Sequence, residues 1–256
     1  MAERVGARWD VRVYRRLAST NTTLRELAVA GARDGTVVVA DEQTAGRGRH
    51  GRSWHSPAGA GLYVSLLVRP RLDGREVQTL TLAAAVAVAE TLGGLGVAGV
   101  EIKWPNDVLV RGRKVSGVLT EASFLEGRLD WAVVGIGVNL TDAAVPPDAA
   151  TRATSLAAEG VATTNVGLLG LLLEPFGRWY AALLEHGPAE VIARWEALAP
   201  MARGAAVTVD DGREVYEAVT EGVTPAGHLR VCRRVDGRVA ELSAADVTLG
   251  PASDSW

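Results

Sequence analysis

Residues 36–54 read TVVVADEQTAGRGRHGRSW. The first eight are rich in β-branched residues and read as a buried strand. That strand runs straight into a loop carrying Arg47, Arg49 and Arg52, with Gly46, Gly48 and Gly51 between them, His50 near the middle and Trp54 at the end. Glycine leaves a backbone mobile and lets it approach a ligand closely. Arginine supplies fixed positive charge. A charge run of this kind can be a solvated surface loop. Its other reading is a flap that closes over something anionic, with the bound anion offsetting the entropy of ordering. Each charge-assisted Arg hydrogen bond contributes about 1.5–3 kcal/mol, and Trp54 gives the flap an apolar anchor.

The rest of the chain narrows the anion. The 256 residues carry a formal charge of −3, with a sequence pI of about 5.9. A general nucleic-acid binder shows a basic surplus, so the arginines are a local feature suited to a small anion. Hydrophobic residues make up 48 %, enough for one large domain or one domain with a small appendage. The single cysteine, Cys232, excludes an intramolecular disulfide and fits a reducing compartment. MAERVGARWDVRVYRRL at the N-terminus has no long apolar run, and the Ala-rich LTLAAAVAVAETLGGLG carries Glu90 and reads as a buried helix rather than a membrane span. The expectation is a soluble, cytoplasmic protein with no membrane or nucleic-acid partner.

Outward from the flap, WDVRVY (9–14) alternates as a half-buried strand, and LASTNTTLRELAVAG reads as a helix with Leu24, Leu27 and Ala28 on its apolar face, ended by Gly31. GLYVSLLVRP is a strand stopped by Pro70, a long helix covers roughly 76–92, and GVEIKWP is a strand ending at Pro105. Residues 107–140 read as a strand meander with turns at Arg111-Gly112 and Glu126-Gly127. Leu169, Leu172, Leu173, Phe176, Trp179, Tyr180 and Leu183 recur at helical spacing, and Pro175 is expected to kink or split that helix. PAEVIARWEAL is a second helix. From Ala205 short strands with Asp211-Gly212 and Asp236-Gly237 turns suggest a small barrel. The order is not a regular βαβ alternation. In GIGVNL strand residues stand where a phosphate-binding helix would start, so a dinucleotide fingerprint does not fit. The fold class is α+β.

Three more motifs carry chemistry. Lys103 of KWPND ends a strand beside Trp104 and Pro105; it is either a fixed cation or a snorkelling surface lysine. Ser19, Thr20 and Asn21 at a helix start are either plain N-caps or neutral hydrogen-bonding partners of a polar ligand group. Asn139 closes GIGVNL, whose glycines also suit close sheet packing.

STN, then Gln43 with GRGRHGRSW, KWPND, KVSGVLTE and GIGVNL, in that order, resembles the biotin protein ligases. The resemblance covers Ser19 to about Leu140 and, more loosely, the C-terminal strands. It implies a catalytic domain over 1–200 similar to class II tRNA synthetases, then an SH3-like domain over 201–256. It implies that biotin's ureido group bonds Ser19, Thr20 and Asn21, near Gln43 and the Arg47-Gly48-Arg49 backbone, with Gly117 lining the same site and biotin's carboxylate beside Lys103. ATP would contact Arg49, Arg52, Trp54, Asn106, Lys114 and Asn139. Lys103 and Arg49 would be the catalytic cations, Mg²⁺ would arrive mainly on the ATP phosphates, and no protein metal site is expected. His50 reads as ordinary variation. Biotinyl-5′-AMP would form and its biotinyl group pass to a lysine of a biotin carboxyl carrier protein. Eighteen residues before Ser19 are too few for an N-terminal helix-turn-helix, so a monofunctional ligase is expected. The alternatives are a lipoate or octanoate ligase and a non-catalytic biotin-sensing module.

Overall fold

The structure, a computed structural model, describes residues 9–249 apart from Arg71 and Asp73. The expected absence of a signal sequence therefore falls in part on residues outside those described, as does the far end of the C-terminal strand region.

The strands are β1 (Asp10–Leu17), β2 (Thr36–Gln43), β3 (Gly61–Val68), β4 (Val100–Lys103), β5 (Asp107–Val110), β6 (Arg113–Leu125) and β7 (Arg128–Asn139), with helix α1 (Thr20–Val29) between β1 and β2 and α2 (Val77–Gly94) between β3 and β4. They form one sheet in the order β1-β2-β3-β7-β6-β5-β4, in which β1 and β2 pair in parallel and every other pair is antiparallel. Both predicted turns of the meander are present. Arg111-Gly112 and Glu126-Gly127 have positive φ at both central residues, the signature of the hairpin turn whose twist matches its strands.

The apolar run of β2 has a structural reason. Val37 and Val39 face a large core under α2, whereas Val38 faces a smaller cluster with Leu24 and Ala28 of α1, Leu67, Trp131 and Val133. A strand covered on both faces loses its polar alternation. Helix α2 is buried nearly all round, between the sheet and helices α3 (Asn165–His186) and α4 (Ala189–Leu198). It is long and apolar enough to cross a membrane by composition, but 72 % of its 18 residues lie inside the protein. Glu90, on its half-exposed edge, ties the three helices together. It accepts from Arg178 (2.6 Å), Trp179 Nε1 (2.9 Å) and Arg194 Nε (2.8 Å).

Of the kink or split expected at Pro175, the split does not occur, and α3 runs unbroken through it. Leu168, Leu169, Leu172, Phe176, Tyr180 and Leu183, on both sides of the proline, are buried in the same core. That burial offsets the roughly 3 kcal/mol an interior proline costs a helix.

The C-terminal strands β8 (Arg203–Asp210), β9 (Val215–Val223), β10 (Leu229–Arg233), β11 (Val239–Leu242) and β12 (Asp246–Leu249) form a second, antiparallel sheet in the order β11-β10-β9-β8-β12. Its inner residues, among them Val207, Val209, Leu229, Val231 and Val247, belong to the same apolar cluster as the first sheet. Trp104 also bridges the two, donating its Nε1 hydrogen to the Gly227 carbonyl at 3.2 Å.

Candidate active site

A cleft of about 640 Å³ opens between the first sheet, the loop of residues 46–54 and β12, and every site residue implied by the sequence resemblance lines it. Its lining cations are Arg47, Arg49, Arg52, Lys103, Lys114 and Arg152, against the carboxylates Asp107 and Asp246. A chain of net charge −3 has thus gathered positive charge in one concavity, the arrangement that draws in anions.

The polar corner is built by the start of α1. Ser19 occupies the N-cap, yet its hydroxyl makes no capping bond. Thr20 donates its N–H (2.8 Å) and its hydroxyl (3.1 Å) to Gln43 Oε1, and Gln43 Nε2 donates to Ser56 Oγ (2.9 Å). Asn21 is held at both ends of its amide. Nδ2 donates to the Leu119 carbonyl (3.2 Å) and to Glu121 Oε2 (2.9 Å), and Oδ1 accepts from Ser65 Oγ (2.6 Å). Ser65 also reaches Thr20 Oγ1 at 2.8 Å. The result is a connected, uncharged hydrogen-bonding wall.

The glycines of GIGVNL serve this wall. The motif lies inside β7 rather than at a helix start. A side chain at Gly135 would occupy the position of the Asn21 amide, and a Cβ at Gly137 would lie 2.5 Å from Trp54 Nε1. Gly117, paired with Gly137 across β6 and β7, would bring a Cβ within 3.1 Å of the same indole. Three glycines therefore clear the sheet surface on which Asn21 and Trp54 rest. Trp54 Nε1 is buried and, among the described residues, has no hydrogen-bond partner.

The flap closes on itself. Gly48 N–H donates to the Arg52 carbonyl (2.7 Å), Trp54 N–H to the Gly46 carbonyl (2.9 Å), and Arg47 pairs with Ser53 as a β-bridge. His50 sits at its tip with φ 54°. Protein groups meet each of its guanidiniums. Arg47 pairs with Glu121 at 3.0 Å, Arg49 reaches Asn106 Oδ1 at 3.5 Å, and Arg52 pairs with Asp246 of β12. Burial pushes the Arg49 guanidinium below its ordinary pKa; Asp107 and Asp246 pull it the other way and Arg52 adds to the lowering. A partly desolvated cation of this kind gains from an incoming anion.

Lys103 ends β4 directly across the hairpin from Asp107. Asp107 is already taken by Lys114 Nζ at 2.6 Å, and Lys114 lies over the Trp54 ring at 5.3 Å. Among the described residues no carboxylate lies within ion-pair distance of Lys103, which lines the cleft. Beside it Asn106 Nδ2 bonds the Val118 carbonyl (2.7 Å), and Asn139 Nδ2 bonds the Thr154 carbonyl (3.0 Å). Among the described residues no group of three or more His, Cys, Asp or Glu converges to hold a metal ion.

Sequence reasoning missed Ser56, Ser65, Glu121, Arg152 and Asp246. Ser65, the one serine among the apolar and aromatic residues of GLYVSLLV, could have been noticed. Asp246 had no local signal, since it reaches the flap only through the packing of the second sheet.

Residues 13–139 match the model of the biotin/lipoate A/B protein ligase family. A biotin–[acetyl-CoA-carboxylase] ligase of Paracoccus denitrificans is 38 % identical over 244 residues, covering 92 % of this chain and 98 % of that one. The chain belongs to the biotin protein ligase family. Another family member, the bifunctional ligase/repressor BirA of Bacillus spizizenii, is 39 % identical over 186 residues, but this chain spans 57 % of that relative's length. Among solved structures, the biotin protein ligase from Aquifex aeolicus in complex with biotin and ATP superposes with a TM-score of 0.78 at 28 % identity, covering 94 % of this chain and 99 % of that one.

Proposed function

We propose that this chain is an ATP-dependent biotin ligase that activates biotin as biotinyl-5′-AMP and transfers it to a lysine of a biotin carboxyl carrier protein. The observation that carries the reading is Lys103, which among the described residues has no carboxylate partner and which lines the same cleft as an uncharged hydrogen-bonding wall and a cationic flap. A wall of hydroxyls and amides suits a neutral ureido group. The lysine suits a carboxylate, and the flap and Lys114 suit phosphates.

In the first step a carboxylate oxygen of biotin attacks the α-phosphorus of ATP and pyrophosphate leaves. Two unit anions 4 Å apart repel by about 1 kcal/mol in water and about 4 kcal/mol at an effective dielectric of 20. Closing the site therefore raises the barrier unless cations stand between the reactants. Lys103 and Arg49 fill that role here, with Mg²⁺ entering as part of the nucleotide substrate to neutralise its phosphates. Biotin is assigned to Ser19, Thr20, Asn21, Gln43, the Arg47-Gly48-Arg49 segment and Gly117; the nucleotide is assigned to Arg49, Arg52, Trp54, Asn106, Lys114 and Asn139. In the second step the amine of the acceptor lysine attacks the acyl carbon and AMP leaves. Deprotonating a free lysine amine at pH 7 costs about 4–5 kcal/mol, so the acceptor must bring its amine into a site that lowers this cost.

The second sheet is taken as an SH3-like module starting near residue 201, after a catalytic domain similar to class II tRNA synthetases. It brings Asp246, Val247 and Thr248 to the lining of the cleft. The cytoplasm, where carrier proteins are made, is the compartment this activity needs.

ATP–pyrophosphate exchange tests the reading. Exchange that requires biotin, is not supported by lipoate or octanoate, and is followed by labelling of a carrier domain on lysine is the expected result. Exchange with lipoate would make the chain a lipoate ligase. Biotin binding without exchange would make it a sensor.

A further inference from the structure

Glu121 lies on β6 behind the cleft, and its carboxylate joins three segments that are far apart in sequence. Oε2 accepts from Asn21 Nδ2 at 2.9 Å, and Oε1 lies 3.1 Å from an Nη of Arg25 and 3.0 Å from an Nη of Arg47. The Glu121 side chain is 19 % exposed, that of Arg47 42 %. One carboxylate thus fixes an amide of the polar wall and also grips the flap at the foot of its hairpin.

We propose that Glu121 is a positioning residue that couples closure of the flap to the orientation of Asn21. The proposal rests on the ligase reading above. Asn21 has two amide hydrogens. Leu119 takes one and Glu121 the other. That assignment forces Oδ1 toward Ser65 and gives the wall a defined sequence of donors and acceptors. Without Glu121 the amide can turn over, and the wall loses its pattern. The same substitution releases Arg47 and unties the flap at position 47, leaving Arg49 and the Arg52–Asp246 pair to hold it. A ligand that presses on the wall is thereby felt at the flap through one side chain, without itself touching Glu121, which does not line the cleft.

Glu121→Gln separates the two tasks, because its amide oxygen can still accept from Asn21 while the ion pairs are lost. In that variant biotinyl-adenylate, once formed, leaves about tenfold faster than from the parent protein, measured by rapid gel filtration, and the KM for biotin changes less than twofold. Glu121→Ala raises the biotin KM about tenfold as well. Arg47→Gln, on the exposed flap where it cannot disturb the core, speeds adenylate release as Glu121→Gln does, and the double variant is no faster than either alone. Release unchanged in both single variants, or effects that multiply in the double variant, would overturn the coupling. A second measurement does not depend on catalysis. Tryptic cleavage after Arg49 or Arg52 in ligand-free protein should be about tenfold faster in Glu121→Gln, and equal cleavage rates overturn the proposal. If the parent protein forms no adenylate, the ligase reading fails, and the proteolysis result still decides whether Glu121 holds the flap.

Discussion

Trp54 rests on Gly137, so close that a Cβ there would lie 2.5 Å from the indole nitrogen. The flap's last residue is seated on bare backbone of the central sheet, and Lys114 is poised over the same ring. Gly137→Ala would push the indole off the sheet. The expected outcome is at least a tenfold fall in biotin-dependent pyrophosphate exchange with the KM for ATP rising more than that for biotin, while circular dichroism stays unchanged. Gly117→Ala, with its looser approach of 3.1 Å, should have the same signature at smaller size.

Lys103→Ala should leave thermal stability within about 0.5 kcal/mol of the parent, as for surface changes away from structural features, because the side chain has no ion pair to lose among the described residues. Exchange should fall by about 10²-fold or more, the size typical for a group that stabilises developing charge. Near-normal exchange would remove Lys103 from the chemistry.

Arg52 and Asp246 join the flap to the second sheet. Arg52→Ala and Asp246→Asn should each speed loss of bound adenylate, and both side chains are exposed enough that the protein's stability should hardly change. Removing residues 204–256 altogether is a different experiment. It strips Val207, Val209 and Val231 from the shared core and should unfold the chain, as seen by loss of the near-ultraviolet dichroism.

Glu90 offers a pH test remote from the cleft. Burial alone would raise its carboxyl, but hydrogen bonds from Trp179 and Arg194 and the charge of Arg178 hold it below the ordinary value of 4.5. A depressed carboxyl stabilises the fold above its unfolded pKa, and that contribution fades as pH falls through the folded one. Glu90→Gln should cost about 1–2 kcal/mol at pH 7. The difference between variant and parent in urea unfolding should narrow on going below pH 4.5. A gap that stays constant with pH would assign the loss to packing.

Much of this molecule is legible in its sequence. The strands around the flap, the α1 start, both meander turns and the helix ends fall close to where local chemistry places them, because β-branched runs, helical periods and residue-Gly pairs act within a few positions. The split expected at Pro175 does not occur, for the opposite reason. A local rule broke the helix, and burial of both halves against α2 kept it whole.

The amino-acid order by itself determined the fold class, the cationic flap and the family signature, since each is carried by residues adjacent in the chain. Only the folded chain decided what those residues face. Glu121 meets Arg47 across a gap of 74 positions in the chain, Asp246 meets Arg52 across 194, and Asp107 is taken by Lys114, which leaves Lys103 without a carboxylate partner among the described residues. Ion pairs and close approaches depend on distance through space, and the sheet sets that distance.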